Sequence, residues 1–144
     1  MNSDVIKKSI EIETTPESVF FALSNENELK KWWVDVPKLE PEIGGVVNFR
    51  FLKENSELLE KDYVVEGKIL EYIPNQKLSY TWKPSDDPNY PNTVVTWTIK
   101  SIENKSKVTV LHSGLEDAKD YSRLEDGWEY FINKLGKLLN SKPD

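Results

Sequence analysis

One side chain, His112, dominates the acid–base chemistry available to this chain. The sequence has one histidine and no cysteine, so thiolate catalysis and thiolate metal sites are excluded. Any Ser-His-Asp chemistry or histidine-bearing metal site has to use His112. Its imidazole could act as a lone acid or base near neutral pH, or hydrogen-bond a ligand, with Tyr63 or Tyr80 as nearby hydroxyls. The alternative is a hydrogen-bonded core histidine, which the lack of a recognisable catalytic pair favours.

Aromatic side chains could supply the walls of a binding site. The chain has five Trp, six Tyr and five Phe, and such rings suit both a packed core and a ligand cavity. A filled core and a cavity are equally compatible with the pattern alone. The candidate ligand-binding residues, chosen from predicted inward strand positions and the closing helix, are Trp33, Phe49, Phe51, Tyr63, Val65, Ile69, Tyr80, Trp82, Trp97, His112, Trp128 and Ile132.

Two other motifs are interpreted as structural. Asp86-Asp87, with Glu57 and Glu60 in another loop, do not have the spacing of a calcium loop. Gly44-Gly45 leads into a strand and is followed by no Lys-Ser or Lys-Thr, so it predicts a tight turn, not a phosphate loop. We therefore predict no metal and no cofactor.

Composition and charge exclude further classes. The chain has 144 residues, 38% of them hydrophobic, and a formal net charge of −6. These values predict one globular domain spanning residues 1–144, and the acidic balance without a basic stripe argues against nucleic acid. No stretch approaches the roughly 18 apolar residues of a spanning helix, and the N-terminus does not resemble a signal peptide. We expect a cytoplasmic protein without membrane insertion, present as a monomer or weak dimer.

A strand and two short helices begin the predicted elements. Residues 5–13 place isoleucines at alternate positions, which predicts a strand. The segment 14–17, Thr-Thr-Pro-Glu, is typical of a helix start, and Asn25 with Glu28 resembles a second capping pair. At the end of this second helix we expect Trp33 to face inward, and Trp32 to lie outside, at the barrel mouth or on a partner surface.

The middle of the chain predicts an antiparallel meander. Pro37 and Pro41 indicate an extended connection before it. Alternating apolar residues separated by short polar connectors then predict successive strands. These five strands are expected over residues 47–51, 63–69, 78–82, 95–99 and 108–112.

A long amphipathic helix closes the chain, from near Asp117 to about Leu139. Its apolar stripe repeats at spacings of three and four residues and contains Leu124, Trp128, Phe131, Ile132, Leu135, Leu138 and Leu139. Gly127 inside this helix costs about 1 kcal/mol relative to alanine, so we predict a packing reason, namely room beside Trp128 for a sheet residue or a ligand. The predicted class is α+β: a curved antiparallel sheet of about six strands wrapped around the C-terminal helix, with a hollow between them and two short helices after the first strand.

Three stretches resemble one known family. They are 12–20 followed by 29–33, then 67–74 running into 78–82, then 112–115 with Gly127-Trp128, Ile132 and Leu135. The chain resembles the START-like, helix-grip (SRPBCC) superfamily, and within it the group named after the activator of the ninety-kilodalton heat-shock protein ATPase. The resemblance spans nearly the whole chain and implies a helix-grip fold.

Three functions follow from this resemblance. Members of the superfamily bind lipids, sterols, polyketides or flavonoid-like molecules in the cavity, a few are cyclases, and the name-giving activator is a co-chaperone of the stress response. We expect non-enzymatic binding of a small hydrophobic or aromatic molecule between the sheet and the last helix. One alternative is an interaction module for a heat-shock chaperone, docking through Trp32, Val34 and Val36. The other is a cyclase or hydrolase that uses His112.

Overall fold

The described part of the chain, residues 5–56, 59–115 and 120–140, forms a seven-stranded sheet and three α-helices in the computed structural model. The elements in chain order are β1 (Val5–Ile12), α1 (Pro16–Ser24), α2 (Glu26–Trp32), β2 (Val36–Leu39), β3 (Val46–Phe51), a 3-10 turn (Lys53–Asn55), β4 (Tyr63–Ile73), β5 (Lys77–Pro84), β6 (Thr93–Ile102), β7 (Lys105–Ser113) and α3 (Tyr121–Asn140).

The sheet is antiparallel throughout, in the order β1-β7-β6-β5-β4-β3-β2. Strands β2 to β7 form the predicted meander, and β1 returns to pair with β7 at the far edge. The predicted α+β class, a curved sheet with a long C-terminal helix, is confirmed.

One strand more than predicted is present among the described residues. β2 occupies the segment that the sequence indicated as an extended connection, and Val36 pairs with Arg50 of β3. Pro37 has no N–H, which argues against a central strand. At the edge of a sheet this missing donor is tolerated, because one side of the strand has no neighbour to bond.

Both predicted N-terminal caps are confirmed. The Thr15 hydroxyl accepts a hydrogen bond from the Ser18 N–H at 3.2 Å, and Pro16 occupies the first turn of α1. The Asn25 side chain accepts one from the Glu28 N–H at 3.1 Å and starts α2. These caps satisfy N–H groups that a helix leaves unpaired at its start.

The prediction that Trp32 faces outward is wrong. Trp32 is only 2% exposed, and its indole N–H donates to the Ala22 carbonyl at 3.0 Å. Helix α2 ends at Trp32, and Trp33 leaves the helical conformation at φ −135° and ψ −65°. Because the backbone turns between them, both neighbouring indoles point into the core, where their rings stack.

Helix α3 is tied to β1 at both ends. The Tyr121 hydroxyl donates to the Val5 carbonyl at 2.8 Å, and the Glu13 N–H donates to the Asn140 side chain at 2.8 Å. Since residues 121 and 140 meet the start and the end of β1, the helix and the strand run in the same direction. The predicted helix start near Asp117 lies outside the described residues, and the end agrees with the prediction within one residue.

The two glycines of α3 lie in different surroundings. A Cβ added at Gly136 would come within 2.6 Å of the Ile10 Cδ1 atom, so a glycine there lets the helix approach β1. A Cβ added at Gly127 would meet nothing within 4 Å. The predicted room beside Trp128 is therefore present at Gly127, and among the described residues no sheet side chain fills it.

The core lies between the sheet and the helices. From α3 it receives Trp128, Ile132, Leu135 and Leu139, all 4% exposed or less. The remaining members of the predicted stripe, Leu124, Phe131 and Leu138, are only partly buried and follow one side of the helix. None of the helices in the described ranges combines the length and the apolar content needed to cross a membrane.

Candidate functional site

Trp33 lies at the centre of a cluster of rings between the sheet and α3. The ring centroids around its indole lie 5.2 to 6.5 Å away, and the Trp82 ring stacks on it with an interplanar angle of 6°. Such distances are those of direct ring contact. This aromatic cluster consists of Trp33 with Trp32, Phe49, Phe51, Trp82, Trp97, Trp128 and Phe131.

The structure brings all the predicted site residues into one region. Trp33, Phe49, Phe51, Trp82, Trp97 and Trp128 belong to the aromatic cluster, while Val65, Ile69, Tyr80 and Ile132 are buried in the same core. Tyr63 is half-buried against this core, and the His112 ring contacts two of the tryptophans. Their role in contacting a ligand stays a prediction.

Sequence reasoning missed two residues of this region. Phe131 contacts both Trp33 and Phe51, and its spacing of three from Trp128 in the apolar stripe could have indicated it. Thr93 is 1% exposed and hydrogen-bonds His112, but a threonine at the start of a predicted strand gives no signal of such a role.

His112 is the middle member of a buried hydrogen-bond chain. The Trp128 indole N–H donates to His112 Nδ1 at 3.1 Å, and His112 Nε2 lies 3.0 Å from the Thr93 hydroxyl. That hydroxyl in turn donates to the Trp82 carbonyl at 2.6 Å. An indole N–H can only donate, so Nδ1 accepts and the imidazole proton is on Nε2, which donates to Thr93.

This chain of bonds keeps His112 neutral. The residue is 0% exposed, and burial lowers the pKa of its imidazole to about 3. A proton on Nδ1 would also face the N–H of Trp128. Both ring nitrogens are thus engaged in the fold, which agrees with the hydrogen-bonded core histidine considered from the sequence.

On the side of α3 away from β1, the aromatic cluster is covered by side chains that are only half-buried. Helix α3 approaches the sheet backbone chiefly along β1, and Phe131 of α3 contacts Phe51 of β3 ring to ring at a centroid distance of 6.5 Å. Half-buried apolar side chains, Tyr63, Leu124 and Phe131, pack against the core here. Gly127 lies three residues after Leu124 and four before Phe131, so its open space belongs to the same side of the helix. We call this region the side opening.

Rings occupy the position of the predicted hollow. Trp33, Trp128 and Phe131 contact one another where the sequence suggested free space between the sheet and α3. Two surface depressions, of about 580 and 360 Å³, lie elsewhere. One is beside 24–27 and 39–42, and the other is beside 66–68, Thr81, 83–85 and 87–88. Neither is lined by a predicted site residue, so a ligand between sheet and helix requires rings of the cluster to move.

Two polar atoms in this region lack hydrogen-bond partners among the described residues. They are the Tyr63 hydroxyl oxygen and the Trp82 indole nitrogen, both inaccessible to solvent. Burial raises the pKa of the Tyr63 hydroxyl, and the nearby Trp82 N–H partly offsets this effect. The effect of the Trp82 N–H on this pKa is that of a weak hydrogen bond, although the two atoms lie outside the distance and angle of an ordinary one.

The acidic loops are solvated in the described ranges. Asp86 pairs with Lys61 at 2.7 Å on the surface, and the Asp87 side chain accepts from the Asn89 N–H at 3.0 Å. Glu57 lies outside the described residues. In the part of the chain that the structure describes, no three His, Asp or Glu side chains lie where they could together hold a metal ion.

An antiparallel sheet folded against one long C-terminal helix, with an aromatic interior, defines a helix-grip protein. Residues 13–140 match the sequence profile of the family described as "Activator of Hsp90 ATPase homolog 1-like protein", and the chain belongs to this family.

Solved structures agree with this fold. A protein from Chromobacterium violaceum is 22% identical, with 99% of this chain and 100% of that chain covered and a TM-score of 0.83. A dimeric Aha1 from Colwellia psychrerythraea is 24% identical, with 95% and 96% covered and a TM-score of 0.76. An HSP90 activator from Plasmodium falciparum is 18% identical, with 95% and 96% covered and a TM-score of 0.72. No curated protein sequence gives a significant match.

Proposed function

We propose that this protein binds a small apolar, aromatic molecule at the side opening and does so without catalysis. The ligand enters between α3 and the strands β3 and β4, and its ring system stacks within the aromatic cluster. Burial of about 200 Å² of apolar ligand surface would contribute roughly 5 kcal/mol before the costs of association.

The observation that carries this proposal is the incomplete packing at the side opening. Phe131 and Tyr63 are half-buried although they contact the core, and the space beside Gly127 is open. Among the described residues, no atom obstructs a group added at that position. A planar ligand that displaces the Phe131 ring would reach Trp33, because the two rings are in contact.

The absence of catalysis is part of the proposal and is supported by the bonding of His112. Both of its ring nitrogens have partners, and its lowered pKa leaves it neutral near pH 7. A general acid near neutral pH needs a proton that it can give up, and a base needs a free lone pair. To bind a ligand, His112 would first have to break its hydrogen bond to Trp128 or to Thr93.

Fluorescence titration tests the binding proposal. A panel of planar aromatic compounds, flavonoids and fatty acids is titrated into the protein, and tryptophan emission is recorded, since Trp33, Trp82 and Trp128 lie in the cluster. We expect a saturable change with at least one aromatic compound. Native mass spectrometry of the freshly purified protein would show whether such a molecule co-purifies.

A pair of α3 variants locates the site. Gly127→Leu fills the side opening and should weaken binding at least fivefold, whereas Ser122→Leu, on an exposed position of the same helix, should not. If no compound of the panel gives a saturable change and no molecule co-purifies, the proposal fails. Equal binding by wild type and Gly127→Leu would place the ligand elsewhere.

Regulation of a heat-shock chaperone ATPase is the second candidate, favoured by the family to which the chain belongs. The docking patch expected from the sequence is reduced, because Trp32 and Val34 are buried and only Val36, at 47% exposure, is accessible. Stimulation of a purified chaperone ATPase by the wild type, lost in Val36→Asp, would support this candidate.

A further inference from the structure

The two edges of the sheet differ in how well they are closed. Just after β2, the Glu40 N–H donates to the Val46 carbonyl of β3. Backbone groups alternate in direction along a strand, so those of Pro37 and Leu39 face away from β3. Proline has no N–H, and the Leu39 N–H donates to Glu26 Oε2 at 2.9 Å. With no free donor left, the β2 edge is closed to a further strand.

The β1 edge is closed only at its two ends. The Val5 carbonyl and the Glu13 N–H are bonded to side chains of α3, so these groups point away from β7. The backbone groups of the alternate residues between them face the same way. These residues are Lys7, Ser9 and Glu11, and in the described part of the chain no hydrogen bond occupies their outward N–H and C=O groups.

The side chains of the same three residues are complementary to themselves. Lys7, Ser9 and Glu11 are exposed on the outer face of the sheet. When two copies of β1 are placed antiparallel about a two-fold axis at Ser9, each Lys7 lies directly opposite the Glu11 of the other copy. Opposite charges in directly opposed positions stabilise a strand pair. This register also uses all the free backbone groups of both copies.

Lys8 does not prevent such pairing. An inward-pointing charge on an edge strand discourages a neighbour, because pairing would bury the charge. The Lys8 ammonium is already engaged by α3, with Glu129 at 3.3 Å and Glu125 at 3.9 Å. Its charge is therefore compensated within its own chain.

We propose that the β1 edge is an interface between two copies of this chain, which pair antiparallel through Lys7, Ser9 and Glu11. The two seven-stranded sheets then continue into one. Because the contact is short, we expect a weak dimer with a dissociation constant on the order of 100 μM. The interface is separate from the side opening, so it stands independently of the proposed ligand binding.

A charge swap tests the register. Sedimentation equilibrium over roughly 10 μM to 1 mM brackets the expected dissociation constant. Lys7→Glu and Glu11→Lys should each raise this constant about fivefold, because like charges then face each other. The double variant should restore the wild-type value. Glu11 also pairs with Lys105 of its own chain at 3.8 Å, so urea unfolding of each variant checks the monomer.

A disulfide locates the axis. The chain has no cysteine, so Ser9→Cys introduces a single thiol. Its Cα would lie about 5.5 Å from that of the other copy, within the range of a disulfide. Thr109→Cys is the matched control, since Thr109 hydrogen-bonds Ser9 at 2.9 Å but lies one strand further from the axis. Its two copies would be about 14 Å apart. Mild oxidation should give a covalent dimer with Ser9→Cys and none with Thr109→Cys.

Three results would overturn this inference. The first is a wild-type protein that stays monomeric up to the highest concentration. The second is a dimer that is unaffected by the single charge reversals or is not restored by the double variant. The third is equal cross-linking of the two cysteine variants, which reports random collision. None of these results bears on ligand binding, which the fluorescence titration decides.

Discussion

Trp33 and His112 show how single residues set the properties of the interior. Trp33 contributes contact area, because rings surround it from the sheet and from two helices. His112 contributes hydrogen bonds. Its two ring nitrogens bond the Trp128 indole and the Thr93 hydroxyl, and so fix the orientation of these two side chains. The cluster is therefore held by apolar packing and by a buried chain of hydrogen bonds together.

Replacing Trp33 measures how much apolar packing in the aromatic cluster contributes to the free energy of unfolding. Trp33→Ala removes an indole that is 7% exposed and should destabilise the fold by about 3–5 kcal/mol, from lost burial and from the cavity that remains. Urea unfolding gives the change. Phe21→Ala, at a ring that is 51% exposed, should cost about 1 kcal/mol or less. A similar cost for both variants would contradict the central position of Trp33.

Replacing His112 tests the contribution of the buried hydrogen-bond chain to stability, because that contribution depends on pH. The folded pKa is about 3 and the unfolded value 6.5, so the unfolded chain takes up a proton first as the pH falls. The contribution of His112 to the free energy of unfolding is therefore complete above pH 6.5 and is lost progressively toward pH 3. The stability difference between wild type and His112→Gln should shrink by about 3 kcal/mol from pH 7 to pH 4. A constant difference in denaturant unfolding would show that His112 titrates normally in the fold.

For single residues, the sequence could indicate which aromatic positions face inward, but not which side chains they contact or bond. Inward aromatic positions were predictable from strand alternation, and they did converge. The bond between His112 and Thr93 joins neighbouring strands, and the one between His112 and Trp128 joins sheet to helix, so neither follows from local spacing. Trp32 was predicted wrongly because the helix ends between it and Trp33.

At the scale of elements, α3 combines a tightly packed side and an open side. Lys8 of β1 forms an ion pair with Glu129 at 3.3 Å, and Gly136 allows close contact with Ile10. On the other side, Leu124 and Phe131 remain half-buried. This asymmetry is what positions the side opening, since the helix packs most closely along β1.

The two glycines of α3 provide a matched test of this asymmetry. Gly127→Ala should stabilise the protein by about 0.5–1 kcal/mol, because alanine favours the helix and nothing obstructs its Cβ. Gly136→Ala gains the same propensity but presses on Ile10, and so should be neutral or destabilising. Thermal unfolding of the two variants distinguishes them. A stabilised Gly136→Ala or a destabilised Gly127→Ala would reverse the assignment of the two sides.

Most elements were predictable because their signals are local. The Thr15 and Asn25 caps, the alternation in the strands and the stripe of α3 each depend on residues close in sequence. The edge strand β2 was not predicted, since its pairing with β3 depends on position in the sheet. Room at Gly127 was predicted from the cost of a glycine in a helix, but the sequence could not show that no sheet residue fills it.

At the scale of the whole molecule, the first strand lies beside the last two elements of the described chain, β7 and α3. β1 pairs with β7 and packs against α3, so the residues at the two ends of the described chain complete one core. The family fold could be recognised from motifs spread along the chain. That rings fill the interior of this fold could not be recognised from the sequence, because the filling depends on how rings from five elements pack together.

The position of β1 has a consequence for synthesis of the protein. Ser9 bonds to Thr109, which follows it by 100 residues, and the helix that covers the same strand is made later still. At about 5–20 residues per second, the nascent chain therefore spends roughly 5–20 s with Ile6 and Ile12 unburied after they leave the ribosome. The β1 segment is the part on which a nascent-chain chaperone would act longest, and native structure should form only once β7 and α3 have been made.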